Sequence, residues 1–168
     1  MNIYPFGKID PDNLNDYYHG VIQLNDLEIE LDINFLEPNL EIRRTDPKKL
    51  ENVQDFITNI VEYSKNVMKY IEEDYDSGNE SADSRFYLNH HLDLDVMDET
   101  EILELFDTTD VTKEIYFSKL KIRRIGFYPE DPKNYVVVDV MFPPRITNYL
   151  LSVTFDDSFA MISIAMES

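Results

Sequence analysis

Residues 20–35 alternate apolar and polar side chains with a period of two. GVIQL and LEIELDINF flank Asn25-Asp26, a dipeptide able to enter the positive-φ turn of a two-residue hairpin. Such a turn pairs Leu24 with Leu27 and Ile22 with Ile29. Leu27, Ile29, Leu31, Ile33 and Phe35 then share one face, and Glu28, Glu30, Asp32 and Asn34 share the other. The pattern predicts a hairpin with one buried face and one acidic, wet face. The preceding FGKI adds a short strand.

Over 46–75 the period lengthens to that of a helix. Asp46 is placed to cap it, and Pro47 suits the first helical position, where its missing N–H costs nothing. Leu50, Val53, Ile57, Ile60, Ser64, Val67 and Ile71 step by three and four, with Phe56, Tyr63 and Tyr70 beside them. One long amphipathic helix follows, its stripe wide enough to lie across a sheet. Glu72-Glu73-Asp74 sits at the end the helix dipole disfavours for acids, which predicts fraying into DSGNE.

SRFYLNHHL and ETEILELF read as short helices joined by LDLDVMD, with a third helical turn near TKEIYFSKL. From residue 118 the pattern returns to strands. KLKIRRIGFY, YVVVDVMF, YLLSVTF and FAMISIAM are separated by PEDPKN, PPRITN and DDS. Their β-branched and aromatic content predicts a four-stranded antiparallel meander. The whole reads as an α+β fold: N-terminal β-hairpin, long amphipathic helix and short helices, then the meander, with the helices packed on one face of the sheet. A length of 168 residues fits a single domain over 1–168.

Charge sharpens this picture. The chain carries 34 acids against 15 bases, a formal −19. Residues 72–110 hold 14 acids and one base, so −13 of that charge belongs to 39 central residues. The acidic segment, helical or irregular over 72–117, sits on a near-neutral scaffold. Such a field repels nucleic acid and anionic membrane surfaces and complements a basic protein partner. With no cysteine there is no disulfide and no thiolate chemistry. The N-terminus MNIYPFGKID lacks the pattern of a secretory signal, and no apolar run is long enough to span a bilayer, so the expected address is cytoplasmic.

The familiar catalytic motifs are missing. Glycines stand only at 7, 20, 78 and 126, which excludes GxGxxG, Walker and GxSxG patterns. No cofactor is expected. His90, His91 and Asp95, with carboxylates around them, form the best candidate metal cluster, because a helix there would face His91 and Asp95 the same way. D-L-D-V-M-D lacks the donor and glycine that a calcium loop needs, and adjacent histidines diverge on any backbone. The opposing reading is a solvated acidic segment with one histidine on the core. Asp139 interrupts the strand VVVDVMF and needs a partner if buried. Arg123 or Arg124 on the neighbouring strand is within reach, as a structural ion pair or as part of a site. Tyr17, Tyr18, Tyr63, Tyr70, Tyr75 and Tyr87 are either the rim of the core or aromatic contacts for lysine and arginine.

FGKID, the hairpin LEIELDINF, the long helix and the closing YLLSVTFDDSFAMISIAMES together resemble an uncharacterised bacterial family, a domain of unknown function, over nearly the whole chain. The resemblance implies an α+β cytoplasmic protein, in some members of the immunity type found with polymorphic toxins. It brings no catalytic residues. An acidic middle suits that role, since many toxin domains are basic nucleases. The expectation is a non-enzymatic protein-binding domain that docks a basic partner through Asp93, Asp95, Asp98, Glu99, Glu101 and Tyr87. A metal-dependent enzyme built on His90, His91 and Asp95, and a homodimeric structural module, are the alternatives.

Overall fold

The structure is a computed structural model that describes residues 1–24, 27–37, 40–41, 43–79, 82–93, 95–143 and 147–168. The elements run β1 (Asn2–Ile3), β2 (Gly7–Lys8), β3 (Tyr17–Leu24), β4 (Leu27–Asn34), β5 (Leu36–Glu37), β6 (Leu40–Glu41), α1 (Pro47–Thr58), α2 (Ile60–Asp76) and α3 (Asp83–Leu92). They continue with α4 (Glu99–Phe106), α5 (Lys113–Lys119), β7 (Lys121–Phe127), β8 (Val136–Met141), β9 (Leu150–Phe155) and β10 (Met161–Glu167).

The fold is α+β. β3 and β4 pair in the register expected from the alternation, Leu24 opposite Leu27 and Ile22 opposite Ile29. The Asn25-Asp26 turn itself lies outside the described residues. β7 to β10 form the antiparallel meander. Hairpin and meander are one sheet, ordered β10-β9-β8-β7-β4-β3, because β4 pairs in parallel with β7. The five helices fill the crossover between those two strands, the long connection that a parallel pair requires. β1 with β2, and β5 with β6, make small separate hairpins.

Burial follows the alternation. Ile29, Leu31, Ile33 and Phe35 of the hairpin side meet Ile125 and Phe127, Val136, Val138 and Val140, and Leu151, Val153 and Phe155 in one continuous core. The helices contribute the stripe read from the sequence: Leu50, Val53, Ile57, Ile60, Val67 and Ile71 are buried. Phe142 is a hub, its ring 5.0–5.7 Å from those of Tyr87, His91, Phe106 and Tyr116. β1–β2 and the turn between them close the hairpin end; a Cβ on Gly20 would meet the Pro5 ring at 2.4 Å, so only glycine permits that approach.

Two helical expectations need correction. The single helix over 46–75 is divided at Asn59 into α1 and α2. Thr58 Oγ1 donates to the Gln54 carbonyl and Asn59 Nδ2 to that of Asp55, side-chain bonds four residues back that bend a helix. The apolar stripe continues across the break, which is why periodicity alone did not reveal it. Nor does α2 fray at its acidic end; it runs to Asp76. Asp74 accepts from the N–H and the hydroxyl of Ser84, capping the first turn of α3. Lys113 binds Glu72 at 2.8 Å and Asp76 at 2.6 Å. The acids that the α2 dipole disfavours are therefore held by α3 and α5. Asp46 caps α1 as expected, accepting from Lys48 N.

Candidate functional site

The acidic residues singled out in the sequence gather around the N-terminus of α4. Asp98 is its N-cap and accepts from the N–H groups of Thr100 and Glu101 at 2.8 and 2.9 Å. Glu101 reaches back to the Asp98 N–H at 3.0 Å and completes a capping box. Glu99 opens the helix, where negative charge suits the dipole. Asp93 ends α3 and accepts from Asp95 N–H. All five are exposed, and among the described residues none of them forms a salt bridge. Val96 and Leu103 stand among them, 44% and 50% exposed. From Asp93 to Asp110 there are eight acids and no base, and the ion pair with a described partner in that span joins Asp107 to Lys119.

Tyr87 does not belong to that surface. It is fully buried, donating to the Tyr149 carbonyl and accepting from Phe142 N–H. Its ring needed a dry setting and its hydroxyl two backbone partners, so it ties α3 to the β8–β9 connection. Burial pushes its pKa well up. Tyr18, Tyr63, Tyr70 and Tyr75 are half-buried against the core, as core rim, while Tyr17 is exposed.

The histidines and Asp95 are not brought together as the metal alternative required. α3 stops at Leu92, so Asp95 is not on the same helical face as His91. His91 is fully buried and its Nδ1 lies 2.7 Å from the Tyr87 carbonyl, leaving Nε2 without a partner among the described residues. Burial lowers its pKa to about 4, so it is neutral, with the proton on Nδ1. His90 sets its ring edge-on to Tyr149 at 4.5 Å, and its Nε2 is likewise buried, with no partner among the described residues. Among the described residues no group of three or more His, Asp or Glu side chains is placed to hold a metal ion.

A second charged cluster lies on the sheet face turned away from the helices. The Arg124 guanidinium grips Asp32 through Nε at 2.6 Å and Nη2 at 2.9 Å, and Asp139 through Nη1 at 3.0 Å. Nη2 also donates to Tyr128 Oη. The expected partner of Asp139 is thus Arg124, but Asp32 is buried too, at 1% exposure, so the hairpin's acidic face is not wet throughout. A bulge between Ile122 and Arg124 turns Arg123 and Arg124 to the same side, where Arg123 meets Glu30. Gly126 makes room: a Cβ there would come within 2.6 Å of Arg124 Nη2. Burial raises the pKa of both Asp32 and Asp139 while Arg124 pulls them down. Four of the five guanidinium donors are occupied, so the cluster is a closed ion-pair network. The parallel pairing of β4 with β7, which sets Glu30 opposite Arg124 and Asp32 opposite Gly126, has no sequence signal. The consecutive arginines and the aspartate in VVVDVMF are the part that could be read.

Comparison of the chain with protein-family profiles, with curated proteins and with solved structures finds no match. Among the described residues no helix is long and apolar enough to cross a membrane.

Proposed function

We propose that this chain is a non-enzymatic protein-binding domain whose surface around the α3–α4 connection docks a basic partner, in the manner of a bacterial cytoplasmic immunity protein that neutralises a basic toxin. One observation carries this reading. Asp93, Asp95, Asp98, Glu99 and Glu101 are exposed and have no cationic partner among the described residues, whereas Glu72 and Asp76 of α2 and the buried Asp32 and Asp139 are met from within the fold. Unpaired carboxylates around two exposed apolar side chains supply long-range steering and a dry contact together.

Asp98 and Glu101 also hold the end of α4, so the informative reversals are Asp95→Lys and Glu99→Lys, with Glu28→Lys as the control. Immobilised protein is exposed to cell extract at low and at high salt, and retained basic proteins are quantified by mass spectrometry. The double reversal should cut capture at low salt about tenfold while Glu28→Lys leaves it nearly unchanged. Equal effects of the two, or capture indifferent to salt, would refute the placement of the surface.

A further inference from the structure

A cavity of about 690 Å³ opens between the end of β3 at Leu24, the start of β4 at Leu27, α2, α5 and the start of β7, within the range of about 300–1,000 Å³ usual for small-molecule sites. Its floor is apolar, built from Leu24, Leu27, Met68, Phe117, Leu120 and Ile122. Its lining also carries Lys65, Lys69, Lys113 and Lys121 with Glu72 and Glu114, and Glu73 and Asp76, paired with Lys69 and Lys113, bring these charges into balance. Lys113 is held by Glu72 and Asp76, and Lys69 by Glu73. Lys65 and Lys121 have no carboxylate partner among the described residues; Lys121 Nζ donates to the Ser118 carbonyl.

Ser64 lines the same cavity. It is the polar member of the apolar stripe of α1 and α2, and its Oγ is buried with no hydrogen-bond partner among the described residues. A native fold rarely leaves such a group unsatisfied without cause. A leucine at 64 would continue the stripe; serine is the smaller side chain and leaves room beside it.

We propose that this cavity binds a single-chain amphiphile with an acidic headgroup: the alkyl chain against the floor, the carboxylate at Lys65 and Lys121. Charge decides the polarity of the headgroup. A cationic head meets Lys65 and Lys121, which have no carboxylate partner among the described residues, and a neutral one forgoes the ion pairs. The site lies apart from the acidic α3–α4 surface, and neither reading depends on the other.

Isothermal titration of the intact protein with dodecanoate below its micellar concentration tests this, with dodecanol and dodecyltrimethylammonium as comparisons. Saturable one-to-one binding is expected for dodecanoate, with the ammonium amphiphile about tenfold weaker or more. Lys65→Glu with Lys121→Glu, both on the surface, should lower dodecanoate affinity about tenfold. Ser64→Leu should abolish binding without loss of thermal stability; if that variant fails to fold, the lysine reversals decide alone. No saturable uptake, equal affinity for the cationic amphiphile, or unchanged binding in the lysine reversals overturns the proposal. A concentration-dependent dimer in sedimentation that Ser64→Leu dissolves also overturns it, assigning the cavity to a second copy of the chain.

Discussion

Replacing Arg124 with methionine keeps an unbranched apolar stem and removes the guanidinium from between two buried carboxylates. Asp32 is 1% exposed and Asp139 9%, and Arg124 is the cation in contact with both. Removing one partner of a buried ion pair costs about 3–5 kcal/mol, chiefly because the remaining charge is left uncompensated. Two charges are left here, so the upper part of that range applies at pH 7. With a urea slope of about 2 kcal/mol per molar, the unfolding midpoint should fall by about 2 M.

The loss should depend on pH in a definite direction. Burial already raises both carboxyl pKa values, and without the guanidinium they rise further. The folded variant then binds more protons than its unfolded chain above the ordinary carboxylate range, so its stability increases as pH falls. Each carboxyl recovers about 1.4 kcal/mol per pH unit below its folded pKa, and the deficit at pH 5 should be smaller than at pH 7 by at least about 1 kcal/mol. Adding Asp32→Asn and Asp139→Asn should restore most of the loss at pH 7. The assay is urea unfolding followed by circular dichroism at both pH values. A deficit under about 1 kcal/mol at pH 7, a deficit unchanged at pH 5, or no recovery in the triple variant would refute the network described here.

Gly126→Ala pushes a methyl group against Arg124 Nη2 and should cost about 1–2 kcal/mol in wild type, but much less in Arg124→Met, as a double-mutant cycle of unfolding free energies will show. His91 has a folded pKa of about 4 against 6.5, so the unfolded chain binds more protons between those values and stability falls as pH drops through that window. Its share is about 3 kcal/mol; His91→Asn, which keeps a donor toward the Tyr87 carbonyl, should flatten the stability profile there, and an unchanged profile would contradict the assignment. Asp98→Ala removes the capping box of α4 and should cost about 1 kcal/mol, with the loss of amide-exchange protection concentrated at Thr100 and Glu101.

How much of this could be read in advance depended on the range of the physics. Alternation of Leu27, Ile29, Leu31 and Ile33 decides strand, face and register together, because a slip by one residue would expose the whole apolar set. Asp46-Pro47 marks the start of α1 by a bond two residues long. The short helices and the meander follow from equally local patterns. The acidic segment is legible too, since charge is additive along a chain, and those of its acids that build the α4 cap lie within three residues of one another.

The tertiary structure decided what depends on partners far apart in the chain. Asp32 and Arg124 are 92 residues apart, and only the parallel pairing of β4 with β7 makes them neighbours; alternation places Asp32 on the outer face but says nothing of what covers it there. Tyr87 has the composition of a surface aromatic in an acidic segment, yet its hydroxyl finds Tyr149 and Phe142, about 60 residues on. Ser64 occupies one position of an apolar stripe, and its meaning comes from β3, β4 and α5 leaving a cavity beside it. In each case the free energy belongs to a pair or an enclosure rather than to a residue, and local sequence carries no information about which distant group will complete it.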